Sequence, residues 1–212
     1  MQPLSSLTTR QKAGNERAGC LHIMIRDNSR KTVCIHIGQY YACTEPTIIQ
    51  TVLGSCVSAC LFDASAKIGG MNHILLPGRA DLKKFNVAAR YGVNAMELLI
   101  NEMMKQGAKR TRLQAKVFGG AHMLAGISRE NGVGEKIYTF VLDFLNNESI
   151  PVLSMDVGGT DSRKIYLYSD TGVVYLKRIH KSYQQRIAEY EDYEKKRLAR
   201  KINRHEDVTL FN

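Results

Sequence analysis

The sequence lacks the features that mark several large classes of protein. No apolar run approaches the roughly 20 residues that a membrane-spanning helix needs, and the first residues lack the apolar segment of a secretory signal. Lysine and arginine outnumber acidic residues by 30 to 20, giving a net charge of +10. No dense basic cluster interleaved with aromatics indicates a nucleic-acid interface. We therefore expect a cytoplasmic protein that binds no nucleic acid and does not insert into a membrane. Its charge favours an acidic protein partner.

Cysteines are few and odd in number, five in 212 residues. With a cytoplasmic address, this favours reduced thiols over disulfides. Two Cys-x-His pairs, at 20–22 and 34–36, carry ligand types that zinc prefers, but their spacing is shorter than in common zinc knuckles. We therefore expect no metal.

Three segments of the chain differ in composition. Residues 1–31 are polar and aperiodic, which predicts a flexible arm. Residues 32–180 combine strand and helix patterns and predict one globular domain. Residues 181–212 are densely charged with apolar residues at helical spacing, which predicts a C-terminal helical extension. A solvated helix face is the expected role of that extension, with contact to a partner as the alternative.

Apolar periodicity places most strands and helices of the central segment. It predicts strands at 32–41, 48–52, 57–62, 68–76, 113–118, 150–155, 164–168 and 173–179, and helices at 86–106 and 135–145. Strands outnumber helices, and the helices fall between groups of strands. The predicted fold is therefore an α/β (α+β) sandwich, with mixed or antiparallel sheets covered by two main helices and a C-terminal helical extension.

A cysteine and a histidine stand out because a predicted hairpin brings them together. Cys56 precedes one strand, His73 lies in the next, and a short polar loop joins the two strands. If Asp63 pairs with Ile68, Cys56 faces Leu75 and His73 is its diagonal neighbour on the same face, about 7–8 Å away between Cα atoms. A thiol beside an imidazole is the minimum for a cysteine nucleophile, because the base raises the thiolate fraction. The alternative for either residue is a purely structural role in the core.

A series of short motifs then resembles one family. The motifs occur in order as Leu-Gly-Ser-Cys-Val at 53–57, Gly-Gly-Met-Asn-His-Ile-Leu-Leu-Pro at 69–77, Lys-Val-Phe-Gly-Gly-Ala at 116–121, Val-Gly-Glu-Lys at 133–136, Ile-Pro-Val-Leu at 150–153, Asp-Val-Gly-Gly-Thr at 156–160, Arg-Lys-Ile-Tyr at 163–166 and Asp-Thr-Gly-Val-Val at 170–174. Each motif alone is weak, but the ordered set resembles the CheD family of chemoreceptor glutamine deamidases.

The resemblance implies an activity and a site. It implies that selected glutamine side chains of chemoreceptors are hydrolysed to glutamate with release of ammonia, through a thioester and without a metal or organic cofactor. The family's nucleophile falls on Cys56 and its base on His73. The family's threonine, six positions before the cysteine, falls on Gln50, whereas Thr51 stands one place later. The third catalytic residue is thus Thr51 or Gln50, with Thr51 favoured.

The resemblance also implies partners. Methyl-accepting chemoreceptors are the expected protein substrate, and a CheC-type phosphatase is a further partner that the family permits. Backbone N–H groups of Ser55, Cys56 and Val57 are the candidate donors to an oxyanion. The rival interpretation is a non-catalytic chemotaxis adaptor that binds receptors or the phosphatase while the change at Gln50 has removed activity.

Overall fold

The computed structural model describes residues 30–75, 85–122, 132–179 and 181–205. Within these ranges the chain forms nine strands and three α-helices. The strands are β1 (Lys31–Cys34), β2 (Tyr40–Cys43), β3 (Thr47–Leu53), β4 (Val57–Asp63), β5 (Ile68–Asn72), β6 (Gln114–Gly119), β7 (Val152–Val157), β8 (Arg163–Tyr168) and β9 (Val174–Arg178). The helices are α1 (Phe85–Lys105), α2 (Val133–Asn147) and α3 (Gln184–His205). None of the described helices is long and apolar enough to cross a membrane.

The strands form two mixed sheets. The first has the order β1-β3-β8-β9 and the second the order β2-β5-β4-β6-β7. Pairs β1–β3 and β6–β7 are parallel, whereas the other pairs are antiparallel. Helices α1 and α2 pack on the second sheet. The predicted sandwich of mixed sheets with two main helices and a C-terminal helix is therefore confirmed.

Two apolar cores lie on opposite faces of the second sheet, and β4 contributes to both. Its alternate residues Val57, Ala59 and Leu61 face the core that α1 and α2 cover. Cys56 and Cys60 belong to the other core, which the first sheet closes. Side chains alternate between the faces of a strand, so a strand covered on both faces is apolar almost throughout. This explains why β4 is buried along nearly its whole length.

The β4–β5 hairpin has the register predicted from the sequence. Asp63 pairs with Ile68, and an isolated bridge between Val57 and Ile74 continues the same register toward the site. Asp63 fixes this turn, because its carboxylate accepts N–H bonds from the loop and from Lys109 and pairs with Arg112 at 2.7 Å. These contacts, the hydrogen bond from Arg112 first, hold the pKa of Asp63 well below its usual range.

The predicted strand at 32–41 is wrong as a single element. The chain forms β1, turns at 36–39, and enters the other sheet as β2. Gly38 has a positive φ of 78°, which suits glycine, and its N–H donates to the carbonyl of His73 at 2.9 Å. The apolar residues Val33, Ile35 and Ile37 alternate as far as the turn itself, so periodicity did not reveal where β1 ends.

Helix α1 ends as its sequence predicts. Gly107 has a φ of +107°, and its N–H donates to the Met104 carbonyl, while the N–H of Ala108 returns to Met103. Glycine adopts this conformation at little cost, which is why it commonly terminates helices. The predicted N-terminal arm lies outside the described residues up to position 29, and the three-segment domain division stays a prediction.

Candidate active site

The loop that carries Cys56 joins β3 to β4 and is held from the side by the end of β6. The Cys56 carbonyl accepts the N–H of Gly120 at 2.7 Å, and the Gly54 carbonyl accepts the N–H of Ala121 at 2.8 Å. Gly119 has a φ of +115°, and a Cβ there would lie against the Cys56 carbonyl. The thiol's position is therefore set by backbone contacts between two neighbouring strands.

One buried arginine holds the end of β6, which in turn contacts the Cys56 loop. Arg163 is 1% exposed and donates to the carbonyls of Gly119 at 2.9 Å and Gly158 at 2.6 Å, and also to the Asp156 carbonyl. It forms an ion pair with the Asp156 carboxylate at 3.0 Å. Burial lowers the pKa of Arg163, and arginine remains charged in proteins. The sequence analysis did not identify this support.

His73 lies just beyond β5 and contacts Thr51, which comes from the other sheet. The Thr51 Oγ1 lies 2.7 Å from His73 Nδ1 and donates to the carbonyl of Ile35 at 2.8 Å. A hydroxyl has one proton, so Thr51 accepts from Nδ1–H while it donates to Ile35. We assign the tautomer with the proton on Nδ1, which leaves the lone pair on Nε2.

The His73 imidazole makes a hydrogen bond through one ring nitrogen only. His73 is 3% exposed, and its Nε2 is buried without a hydrogen-bond partner. A ring nitrogen of His73, the Cys56 Sγ and a carboxylate oxygen of Glu191 all lie within 4.8 Å of one another. A thiol, an imidazole and a carboxylate thus share one buried space between the sheets.

Gln50 does not take the position that Thr51 occupies. The β3–β8 register is continuous from Ile48 to Leu53, with no bulge around these residues. Adjacent residues in a regular strand project to opposite faces, so Gln50 and Thr51 are on different sides. Thr51 is 1% exposed and contacts the imidazole, whereas Gln50 is half-buried elsewhere.

Helix α3 inserts Glu191, which was not predicted from the sequence, into the site. Its Oε1 accepts the N–H groups of Gly54 at 2.9 Å and Cys56 at 3.3 Å. Its Oε2 accepts the N–H of Ser55 at 2.9 Å and the Ser55 hydroxyl at 2.6 Å. Lys195 donates to the same hydroxyl at 3.3 Å. Three consecutive backbone N–H groups and a hydroxyl therefore form a carboxylate-binding nest beside the thiol.

This nest corrects the predicted set of oxyanion donors. The N–H groups of Ser55 and Cys56 point into the site, but that of Val57 donates to the Ile74 carbonyl at 3.0 Å. Gly54 supplies the additional donor. The difference arises because the strand ladder of β4 already begins at Val57 and uses its N–H.

A sequence signal for Glu191 did exist. Ile187, Tyr190 and Leu198 recur at helical spacing, and Glu191 lies within this stripe, four residues after Ile187. A carboxylate on the apolar face of a helix must find a partner when that face is buried. The expectation that the charged extension presents only a solvated face is therefore wrong for Glu191, which is 3% exposed.

Cys56, His73 and Glu191 also carry ligand types that bind metals. The nest, however, directs four N–H and O–H donors at the two carboxylate oxygens. A carboxylate has about four lone-pair positions, so those donors occupy the directions that a cation would need. The donor set fits an anion rather than a metal ion.

Burial and charge set the protonation of the pair. Burial, followed by the charge of Glu191 and a hydrogen bond to it, raises the pKa of Cys56 well above its ordinary value, while Lys195 lowers it. Burial lowers the pKa of His73 to about 4. With α3 in place, the site therefore holds a thiol and a neutral imidazole rather than an ion pair.

Among the cysteines that the structure describes, Cys34 differs from the sequence-based expectation. Cys43 and Cys60 are free and buried, whereas Cys34 is disulfide-bonded. The prediction of uniformly reduced thiols is therefore wrong for Cys34. A cysteine in a disulfide has no thiolate to bind zinc.

Comparisons with known proteins agree on one family. A family model described as "CheD chemotactic sensory transduction" matches residues 75–178. A protein of Shewanella oneidensis named "Probable chemoreceptor glutamine deamidase CheD 1" is 44% identical over 188 residues, covering 88% of this chain and 90% of that protein. Proteins with the corresponding name from Dechloromonas aromatica and Stenotrophomonas maltophilia are 44% and 45% identical, each covering 76% of this chain and 80% of the relative.

With most of its length matched to these relatives at 44–45% identity, the chain belongs to the CheD family.

Proposed function

We propose that this protein is a chemoreceptor glutamine deamidase that hydrolyses selected glutamine side chains to glutamate. The observation that carries the proposal is the chain of hydrogen bonds from His73 Nδ1 through the Thr51 hydroxyl to the Ile35 carbonyl. It leaves the Nε2 of His73 without a partner in the space shared with the Cys56 thiol. The names of the relatives supply the substrate class.

The first step forms a thioester. His73 Nε2 removes the proton of the Cys56 thiol, and the sulfur attacks the side-chain carbonyl carbon of the substrate glutamine. Thr51 stabilises the imidazolium by accepting its Nδ1–H bond. The tetrahedral intermediate then collapses as His73 returns the proton to the amide nitrogen, which leaves as ammonia.

The second step regenerates the enzyme. His73 removes a proton from water, and the hydroxide attacks the thioester carbon. Collapse of the second tetrahedral intermediate releases a glutamate side chain and the thiolate, which recovers its proton from His73. The sum is glutamine plus water giving glutamate plus ammonia.

The nest supplies the electrostatic contribution. The N–H groups of Gly54, Ser55 and Cys56 converge beside the sulfur, where each tetrahedral intermediate carries its negative oxygen. One such donor contributes about 3–4 kcal/mol to lowering the barrier. Glu191 occupies these donors in the structure, so substrate must replace it during turnover.

Mass spectrometry of a receptor cytoplasmic fragment tests the proposal. Incubation with the full-length protein should raise the fragment mass by about 1 Da per modified site, because an amide NH2 is replaced by OH. The Cys56→Ala protein should leave the mass unchanged. A receptor fragment that already carries glutamate at the modified position should gain nothing there.

The non-catalytic adaptor predicts a different result. A fragment that binds the protein but keeps its mass after prolonged incubation would remove the enzymatic proposal. The Cys60→Ala protein is a matched control, because Cys60 is equally buried and lies in the same core but outside the nest. It should retain the mass change that Cys56→Ala loses.

Location and the second partner belong to the same proposal. We place the reaction in the cytoplasm, where the relatives' receptor substrates present their signalling helices. A CheC-type phosphatase is the further partner that family membership supports. Isothermal titration of the full-length protein with a purified phosphatase of that type should give saturable heat, and the absence of binding would remove this partner.

A further inference from the structure

We infer that α3 occupies the surface to which a substrate helix binds, and that the nest holds Glu191 as it holds the product glutamate. The inference rests on the proposed deamidase function and adds what the site recognises and what fills it. It follows from the juxtaposition of the Glu191 carboxylate, the nest and the Cys56 thiol.

The chemistry of the reaction identifies what Glu191 imitates. Hydrolysis of a glutamine side chain yields a glutamate side chain, and Glu191 is such a side chain placed beside the nucleophile. Both of its oxygens accept from the nest, and one lies within 4.8 Å of the Cys56 sulfur and a ring nitrogen of His73. A product leaving the thioester would present the same carboxylate to the same three groups.

The body of the protein is shaped for the close approach of this helix. A Cβ at Gly54 would meet the Glu191 carboxylate at 3.0 Å and the Ile187 side chain at 3.1 Å. Glycine at this position therefore lets a helix lie directly against the nucleophile loop. A Cβ there would require the Glu191 carboxylate and the Ile187 side chain to shift by a few tenths of an ångström.

The apolar contacts of α3 define what a substrate helix should offer. Tyr190 and Leu198 pack against the core between the sheets, and Ile187 packs on Gly54. Counted from Glu191, Ile187 lies four residues before, Tyr190 one residue before and Leu198 seven residues after. A glutamine on a helix with apolar residues at these positions would fit the same surface.

Occupation by α3 also holds the site in an unreactive form. Glu191 fills the donors that an oxyanion requires. Burial, and after it the charge and hydrogen bond of Glu191, raise the pKa of the Cys56 thiol. A substrate helix must displace α3 to react. Displacement removes that charge at the moment when the substrate amide enters.

The Glu191→Gln protein provides a direct test, because it places a glutamine where the substrate's is expected. The Cys56 sulfur should attack its side-chain carbonyl, ammonia should leave with a proton from His73, and water should release glutamate from the thioester. The full-length variant, purified promptly and incubated alone, should gain about 1 Da and return to the wild-type sequence at position 191. Peptide mapping locates the change.

Two control variants and a parallel assay on a receptor fragment show what the result means. The double variant Glu191→Gln, Cys56→Ala should keep its glutamine. Glu189→Gln, an equal change at an exposed position of the same helix, should also persist. If the introduced glutamine at 191 persists while the same preparation deamidates a receptor fragment, the inference is overturned and the deamidase function stands. If neither is converted, both fail.

A second measurement does not require the introduced amide to fit the nest. Iodoacetamide should alkylate Cys56 at least ~10-fold faster in full-length Glu191→Ala than in the wild type at neutral pH, because the variant loses both the cover and the charge that hold the thiol protonated. Glu189→Ala should react at the wild-type rate. Equal rates in wild type and Glu191→Ala, with correct folding by circular dichroism, would overturn the inference.

Discussion

At the scale of single residues, the contact between Thr51 and His73 favours Thr51 over Gln50 as the residue that orients the imidazole. The Thr51 hydroxyl donates a hydrogen bond to the Ile35 carbonyl and accepts one from His73 Nδ1–H. This arrangement fixes one tautomer of a ring that would otherwise have two. Sequence comparison left Thr51 and Gln50 open because the family's spacing differs here by one residue, and only the register of β3 against its neighbours separates them.

Replacing Thr51 by valine should therefore lower kcat/KM for the receptor fragment roughly 10- to 100-fold, a part of what general base catalysis contributes. Valine keeps the shape of threonine but leaves Nδ1–H without an acceptor. Steady-state ammonia release measures the effect. Gln50→Ala is the matched control and should remain within about 3-fold of the wild type; a larger loss in Gln50→Ala than in Thr51→Val would reverse the assignment.

His73 should also make stability depend on pH. Burial lowers its pKa to about 4 in the folded protein, against about 6.5 when unfolded. The unfolded state therefore binds more protons between these values, so the contribution of His73 to stability is present above pH ~6.5 and is lost as pH falls toward 4.

The magnitude can be read from urea unfolding at pH 7 and pH 4. The free energy of unfolding should fall by about 3 kcal/mol more in the wild type than in His73→Gln, because 2.5 pKa units correspond to roughly that amount. Equal falls in the two proteins would mean that the imidazole is accessible to protons in the folded state.

At the scale of elements, the end of β6 sets the geometry of the nucleophile loop. Gly119 adopts a conformation that other residues rarely adopt, and it does so where a side chain would meet the Cys56 carbonyl. Gly119→Ala should reduce kcat/KM by at least ~100-fold, since small displacements of reacting groups have effects of this size.

Gly107→Ala is the matched control for that change. Gly107 has a similar φ of +107°, but a Cβ there would meet only the Ile68 side chain at 3.9 Å. The alanine should cost about 1 kcal/mol of stability through backbone strain and leave kcat/KM near the wild-type value. A comparable loss of activity in both variants would show that activity does not depend on the contact between Gly119 and the Cys56 carbonyl.

The same scale shows where sequence reasoning succeeds. The hairpin register followed from the loop alone, because centring the turn on Ser65 and Ala66 pairs Asp63 with Ile68. Helix α1 followed from periodicity and its glycine cap. The division of 32–41 into β1 and β2 did not follow, because the apolar alternation of Val33, Ile35 and Ile37 runs past the end of β1 at Cys34. Glu191 was missed as well: its place on the apolar stripe of α3 could be read from the sequence, but its partners 135 residues away along the chain could not.

At the scale of the whole molecule, the charge of +10 affects encounter rather than chemistry. An acidic protein substrate, the partner that this charge favours, is attracted over a Debye length of about 10 Å at 0.1 M salt, which falls to about 3 Å at 1 M. Between 0.05 and 0.5 M salt, kcat/KM for the receptor fragment should fall roughly 3- to 10-fold while kcat stays constant.

Alkylation of Cys56 by neutral iodoacetamide serves as the reference for that measurement, since an uncharged reagent is not steered. A salt-independent kcat/KM would show that the excess of basic residues does not face the substrate. A fall in both quantities would instead indicate a change in the site itself.

The position of α3 has one further consequence, which concerns oxidative damage. Peroxide oxidises thiolates rather than thiols, and it must reach the sulfur. Cys56 is fully buried, and the Glu191 charge raises its pKa, so an idle enzyme keeps its nucleophile intact under oxidants. The molecules at risk of forming sulfenic acid are those in which α3 has been displaced. The Cys56 sulfur is thus exposed to oxidants only during turnover.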